Sequence, residues 1–183
     1  LDRAQHNARE LLALMGAALE LSRHEGRGMP LVLEPVSVAL LVDDLAREVA
    51  ALPPVPGVDF RWSVGPSPPP LLTDALKLRM ILKNLIDNGL RHARGGDGGR
   101  IRIAVRRVGP NVFIEVQDNG CGIPAEKLSA LRGSIASRAF APTDGGGLGL
   151  AIASKVIADH GGTLTVDSAL GTGTRCVIEL QLC

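Results

Sequence analysis

Asn84 and Asn88 stand four residues apart, with Arg91 three further on, so a helix through them carries two amides and a cation up one face. An amide carbonyl is a hard oxygen ligand. It suits a Mg²⁺ ion, which takes one or two protein oxygens and completes its octahedron with water and phosphate. Asn88 is therefore a candidate metal ligand. Further along, Asp118-Asn119-Gly120-Cys121-Gly122 places a carboxylate ahead of two glycines. The carboxylate can accept the exocyclic amine of a purine, and the glycines let backbone approach a flat ligand. Gly145-Gly146-Gly147-Leu148-Gly149-Leu150 then opens a helix, where free N–H groups and the positive end of the dipole suit phosphate. No Gly-Lys-Ser/Thr ending follows and no strand precedes it, so neither a Walker loop nor a Rossmann turn fits. Taken singly, each element has a plainer reading, as a solvated helix face, a tight turn or a loop. Their order along one chain is far more specific.

The elements that must position these residues follow from periodicity. Leu78, Leu82, Ile86 and Leu90 give the asparagine helix, about Asp74 to Ala93, a core-facing stripe, with Thr73 as its expected cap. An amino-terminal helix, about Leu1 to Glu25, is marked by Ala4, Ala8, Leu11, Met15, Ala18 and Ser22, a stripe made for a bundle; Gly26, Gly28 and Pro30 end it. An extended piece from Pro30 to Pro35 leads to a helix with Ser37 as N-cap and Val38 to Ala51 as body, ended by Pro53, Pro54 and Pro56. Val58 to Val64 alternates as a half-buried strand, and Gly65 to Pro70 is a proline-rich loop. Ile101 to Val105 and Val112 to Val116 read as a hairpin about Gly109-Pro110-Asn111. A short helix from Pro124, a helix of about Leu148 to His160, and strands Thr163 to Asp167 and Thr174 to Leu182 complete the chain. Strands and helices mixed with hairpins imply an α+β fold, a two-layer sandwich whose mixed, largely antiparallel sheet is covered on one face by helices.

Composition narrows the function classes. The 183 residues suffice for one domain with an appended element. Lys and Arg number 20 against 19 acids, so no dominant attraction to nucleic acid is expected, and one Trp, three Phe and no Tyr make a base-stacking platform implausible. No run of about 18 apolar residues could span a membrane, and the first residues lack a secretion signal. A starting Leu with no Met before Met15 suggests a fragment. Cys121, Cys176 and Cys183 are odd in number without CxxC spacing, which disfavours a disulfide framework and a zinc site and points to a reducing, cytoplasmic setting. Cys121 is expected to act as a small buried hydrophobe rather than a redox centre.

Together these motifs resemble the ATP-binding catalytic domain of bacterial sensor histidine kinases, within the superfamily shared with gyrase, Hsp90 and MutL. Asp74, Leu78, Leu82, Asn84, Leu85 and Asn88 look like its N box. Asp118-x-Gly120-x-Gly122 looks like its first glycine box, Gly145-x-Gly147-Leu148-Gly149-Leu150 its second, and Gly171-Thr172-Gly173-Thr174 its last. Leu19 to Gly26 resembles the end of the second helix of the dimerisation hairpin. The resemblance implies a Bergerat-type fold over residues 29–183, preceded by part of that hairpin over residues 1–28. It further implies that Asp118 holds the adenine amine, with Thr174 assisting through water, Gly120, Gly122 and Ile123 around it, and that Asn88 binds Mg²⁺. Asn84, Arg91 and His92 would face the phosphates, which Gly145, Gly147, Leu148, Gly149 and Leu150 would cradle beneath a lid of about Ser129 to Gly146. Gly89 departs from the family's usual Ala, and only Phe140 represents the aromatic-rich segment before the second glycine box.

Hydrolases of the superfamily carry a glutamate at the place of Asn84, as general base for water. An amide cannot accept that proton, so Asn84 favours transfer to a histidine nucleophile. None of His6, His24, His92 and His160 has the acceptor context of the family, so the phosphorylated histidine is expected on a dimerisation helix outside this chain. The implied partners are that helix, a cognate response regulator and a second subunit of a homodimer. The alternatives are a catalytically silent nucleotide-binding module of the same fold, and an anti-sigma-type serine kinase, against which the amino-terminal bundle helix argues.

Overall fold

The computed structural model describes residues 31–66, 69–93, 98–137 and 147–182. The chain divides into two compact units, Leu1–Leu31 and Val32–Cys183, and only the second is described below. The expected amino-terminal helix and the glycines at 145 and 146 lie outside the described residues.

The second unit begins with β1 (Glu34–Val36) and α1 (Val38–Ala51). The Ser37 hydroxyl accepts from the Leu40 N–H, and Val38, Leu41, Val42 and Leu45 are buried. Next come β2 (Val58–Val64), β3 (Leu71–Thr73) and the long α2 (Ala75–His92). Glu48 of α1 reaches Arg79 at 2.7 Å and Lys83 at 2.6 Å on α2, fixing the two helices side by side. Then follow β4 (Gly99–Val108), β5 (Asn111–Asp118), α3 (Ala125–Ser137), α4 (Gly147–Asp159), β6 (Thr163–Ala169) and β7 (Gly173–Gln181).

The main sheet has the order β2-β4-β5-β7-β6. β2 and β4 run parallel and the other neighbours antiparallel, as expected for a mixed, largely antiparallel sheet. Alternation sends Ile101, Ile103, Val105, Val112, Ile114, Val116, Leu164, Val166 and Ile178 into the core. Arg100, Arg102 and Arg106 face solvent on the other side of β4. The helices α2, α3 and α4 cover the apolar face. The edge strand β6 is guarded by Arg132 of α3, whose Nε and Nη2 donate to the Val166 carbonyl at 3.1 and 2.9 Å.

Three expectations change. Leu71–Thr73, not foreseen as a strand, pairs with β1 through Leu71 opposite Val36. Thr73 ends that strand, and Asp74 is the true N-cap of α2. Its carboxylate accepts from the N–H of Lys77 at 3.0 Å through Oδ1 and from that of Val32 at 3.2 Å through Oδ2. Leu90 is half-buried, because the buried stripe runs through Leu78, Ile81, Leu82, Leu85, Ile86 and Gly89 instead.

Asp74 also donates its own N–H to His160 Nε2 at 3.2 Å, while His160 Nδ1 lies 2.7 Å from the Val156 carbonyl. The ring is thus the Nδ1–H tautomer, with Nε2 as acceptor. Beyond it Gly161, at φ 73°, takes the left-handed position of a Schellman ending, with Gly161 N–H to Ala158 and Gly162 N–H to Ile157, both at 2.9 Å. Burial opposes the Asp74 charge, but the N–H groups of Lys77 and Val32 and the Lys77 ammonium outweigh it, so its pKa lies below the usual carboxylate value. The folded state therefore releases that proton more readily than the unfolded chain. The resulting stability is full above about pH 4 and is lost as pH falls through the depressed value. Asp74→Ala should cost about 1–2 kcal/mol at neutral pH and flatten the acid limb of the stability curve, measured by thermal unfolding between about pH 3 and 7.

Candidate functional site

α2, the turn after β5, α3, the start of α4 and the start of β7 enclose a cavity of about 420 Å³, within the ~300–1,000 Å³ of ligand pockets. Leu85, Val116, Ile123, Leu131 and Leu150 form apolar walls. Asp118 and Thr174 supply polar atoms, and Asn88, Arg91, His92 and Lys127 complete the lining.

Asp118 ends β5 half-buried. Its Oδ1 accepts from the N–H of Gly120 at 2.8 Å and of Thr174 at 3.2 Å. Oδ2 has no partner among the described residues and remains an acceptor toward the cavity. Burial raises the Asp118 pKa above the usual carboxylate range, against the lowering by the two N–H donors and by His92.

Ser168 of β6 organises the neighbouring corner. Its hydroxyl accepts from the Ile123 N–H at 2.8 Å and donates to the Gly173 carbonyl at 2.8 Å. With that single proton committed, the 3.0 Å contact to Thr174 must have Thr174 as donor. The Thr174 oxygen is left able to accept on the cavity side. Ser168 was not singled out in the sequence. A serine in a strand carries no local signal for a three-way junction.

The glycines also permit close contacts within the chain. A Cβ on Gly120 would stand 2.1 Å from the His92 carbonyl oxygen, one on Gly122 2.0 Å from that of Ala169, and one on Gly173 2.1 Å from that of Asp118. Gly122 and Gly173 also take φ of 70° and 111°. They bring chain against chain beside the cavity. Asn119, between them, extends the ladder: its side chain accepts from Arg100 N–H at 2.6 Å and donates to the Gly98 carbonyl at 2.8 Å.

Of the other residues expected at the site, Asn88, Arg91, His92, Asp118, Gly122, Ile123, Leu150 and Thr174 line the cavity. Asn84 does not. It packs against Gly149, where an added Cβ would stand 2.8 Å from Asn84 Nδ2. Gly120 lies behind the wall, Gly147 begins α4, the side chain of Leu148 lies outside what is described, and Gly145 lies outside the described residues. The expected lid is helical over its first part, since α3 continues to Ser137. Lys127 and Leu131 were missed and reach the cavity from α3. Gly89 leaves room for the family's Ala, with the nearest atoms 3.5 Å from an added Cβ. Among the described residues no cluster of three or more His, Cys, Asp or Glu could hold a metal, so a cation here would rely on amide oxygen and phosphate.

Cys121 is exposed at the cavity, its Sγ 4.0 Å from His92 Nδ1, which corrects its expected burial. Cys176 is buried, and desolvation, aided by Asp118 and Asp167, pushes its thiol up to about 12. It stays a neutral thiol at physiological pH.

An α/β sandwich with an apolar cavity, a free carboxylate oxygen at its floor and cationic groups in its lining is a nucleotide-binding domain. Residues 73–183 match the family described as histidine kinase-, DNA gyrase B- and HSP90-like ATPase, and the chain belongs to that family of ATP-binding domains. It is 32% identical over 190 residues to the probable sensor histidine kinase TcrY of Mycobacterium tuberculosis, covering 100% of this chain and 38% of TcrY. To the alginate biosynthesis sensor protein KinB of Pseudomonas aeruginosa it is 30% identical over 179 residues, covering 94% of this chain and 28% of KinB. The crystal structure of full-length ShkA in complex with AMPPNP superposes with a TM-score of 0.74 at 28% identity, over 96% of this chain and 36% of that one. The chain thus spans well under half the length of these relatives. No helix among the described residues is long and apolar enough to cross a membrane.

Asp118→Asn separates ligand recognition from folding. Oδ1 keeps its two N–H donors, but the open acceptor becomes a donor facing another donor. Because the folded-state pKa is raised, Asp118 stabilises the fold fully only below the unfolded value, and that contribution is lost as pH rises through the folded one. At pH 7 the variant should therefore melt no lower than wild type while adenine-nucleotide affinity falls about 10–100-fold, read by thermal unfolding and calorimetry. Ser168→Ala should behave differently. It strands the Ile123 N–H, lowering stability by about 1–3 kcal/mol and weakening nucleotide binding together.

Proposed function

We propose that this chain is the catalytic ATP-binding part of a two-component sensor histidine kinase, which holds Mg-ATP and delivers its γ-phosphate to a histidine on a dimerisation helix. The observation that carries this reading is the open Oδ2 of Asp118 in an apolar cavity that also holds Asn88, Arg91 and His92. An apolar cavity with one carboxylate acceptor suits a purine bearing an amine. Amides and cations suit the polyphosphate attached to it.

Asp118 would accept the adenine amine through Oδ2, and Thr174, whose own proton goes to Ser168, would accept from a water beside the ring. Gly120, Gly122 and Ile123 would shape the adenine end. Arg91, His92 and the cavity-lining Lys127 would neutralise phosphate charge, with Gly145, Gly147, Leu148, Gly149 and Leu150 around the phosphates. The amide oxygen of Asn88 would hold Mg²⁺, whose chemistry when bound is to offset charge on the phosphate oxygens. Asn84 would position the start of α4. As an amide it offers no base to activate water, which favours transfer over hydrolysis.

In this reading residues 1–28 belong to the dimerisation hairpin and residues 29–183 to the catalytic domain of a cytoplasmic region. The partners are the helix that bears the accepting histidine, a response regulator and a second subunit of a homodimer. Titration with a non-hydrolysable ATP analogue should give binding that strengthens with Mg²⁺, and Asn88→Ala should abolish the Mg²⁺ dependence while leaving Mg²⁺-free binding nearly unchanged. Occupancy should also protect Cys121, but not alter the inert Cys176, in mapped alkylation. A folded wild type that binds no adenine nucleotide would overturn the reading.

A further inference from the structure

Val58-Asp59-Phe60-Arg61-Trp62 has the same pattern in either direction: apolar, charged, apolar, oppositely charged, apolar. This is β2, an outer strand of the main sheet. Gly57 accepts from the Gly99 N–H and Gly65 donates to the Val105 carbonyl, which fixes the phase of the parallel ladder. Asp59, Arg61 and Ser63 direct their backbone groups toward β4, while Phe60 and Trp62 direct theirs away from the sheet. No described residue bonds the N–H or C=O of Phe60 or Trp62 on that side. The other outer strand, β6, is blocked by Arg132, but β2 has no such guard among the described residues.

Side chains make the edge more than an omission. Phe60 and Trp62 are only half-buried, stacked with ring centroids 6.3 Å apart, and Val64 beside them is 41% exposed. On the opposite face Arg61 lies level with Arg102 and Asp59 with Arg100, so like charges accumulate there with a single acid between them. Arginines directly opposite each other on one face are unfavourable, and a further carboxylate beside Arg61 would relieve them.

We propose that β2 pairs antiparallel with β2 of a second copy of this chain, in the register that sets Phe60 against its counterpart. In that register every pair of residues sums to 120, so outward-facing backbone meets outward-facing backbone. The Phe60 residues exchange two hydrogen bonds, and each Trp62 N–H donates to the Val58 carbonyl of the second copy. The Val58 N–H takes no part, because it bonds the Val55 carbonyl at 3.2 Å. Asp59 then lies across from Arg61 of the second copy, twice over, with Val58 beside its Trp62. Sliding the strands to centre on Arg61 keeps the backbone match but opposes the two arginines, so charge selects the register. A strand edge alone buries less than a permanent dimer needs, which makes this a reversible contact.

Trp62 is the only tryptophan of the 183 residues, so its emission reports this edge and no other association of the chain. Sedimentation equilibrium and Trp62 emission, followed together from roughly 10 μM to 1 mM, should show mass rising toward the dimer as emission shifts to the blue. The Phe60 and Trp62 amide protons should exchange more slowly as concentration rises. Arg61→Asp should weaken association about tenfold, and the exchange of both charges, Asp59→Arg with Arg61→Asp, should restore it. These residues lie on the solvent face, so unchanged thermal unfolding checks that both variants fold. A monomer at every concentration overturns the proposal, as does association with unshifted Trp62 emission. A shift indifferent to the charge exchange overturns it too, by assigning the edge to another register or strand.

Discussion

Three separate pieces of backbone meet around Asp118 at distances that leave no room for a side chain. The Gly173 α-carbon faces the Asp118 carbonyl, the Gly120 α-carbon faces that of His92, and the Gly122 α-carbon faces that of Ala169. This crowding sets the position of the Asp118 carboxylate relative to α2 and β7, and hence the floor of the cavity. Any Cβ at these points would push the strands apart by more than a side-chain rotation can absorb. Backbone bonds lock the same junction, from Cys121 N–H to His92 at 3.1 Å and from Gly171 N–H to Cys121 at 2.7 Å.

Within that frame a few donors decide which atoms remain for a ligand. Asp118 has two carboxylate oxygens, and the fold saturates one with N–H groups. Ser168 has one proton, and giving it to Gly173 determines that Thr174 donates to Ser168 and accepts elsewhere. The acceptors that face the cavity are thus those that internal bonding leaves unsatisfied. The cost is visible in the raised Asp118 pKa, since burial works against the charged form of a carboxylate whose second oxygen the fold leaves unpaired.

The order of elements, the sheet class, the asparagine helix and the Asp118 turn were legible in the sequence because periodicity and glycine placement are local signals. Leu71–Thr73 was not, since a three-residue strand exists only through its partner at Glu34–Val36. The cap at Asp74 was displaced by one residue because Thr and Asp are both good caps, and only the pairing of β3 with β1 claims Thr73 for the strand. Ser168, Lys127 and Leu131 were silent for a similar reason: Ser168 reaches Ile123, 45 residues away, and Lys127 and Leu131 meet the cavity only through the fold, so no local pattern encodes them. The glycines stand out in the sequence as places of close approach, and Gly120, Gly122 and Gly173 bring backbone against backbone. Close approach to a ligand and close approach to another strand look identical in a sequence.

The antiparallel packing of α2 and α4 follows from two well-separated contacts. Gly149, near the start of α4, lies against Asn84 in the middle of α2, while His160, just past the end of α4, accepts from Asp74 at the start of α2. About ten residues separate the contacts on each helix, so the helices run in opposite directions over roughly 15 Å. The amino-terminal end of α4, with its unsatisfied N–H groups and positive dipole, is therefore held level with the Asn84–Asn88 turn. An anion beside Asn88 would meet that end rather than its flank. The helix dipole adds to the charge of Arg91 only because His160 and Asp74 fix the far end, and shortening α4 by a turn would carry the positive end away from the amides.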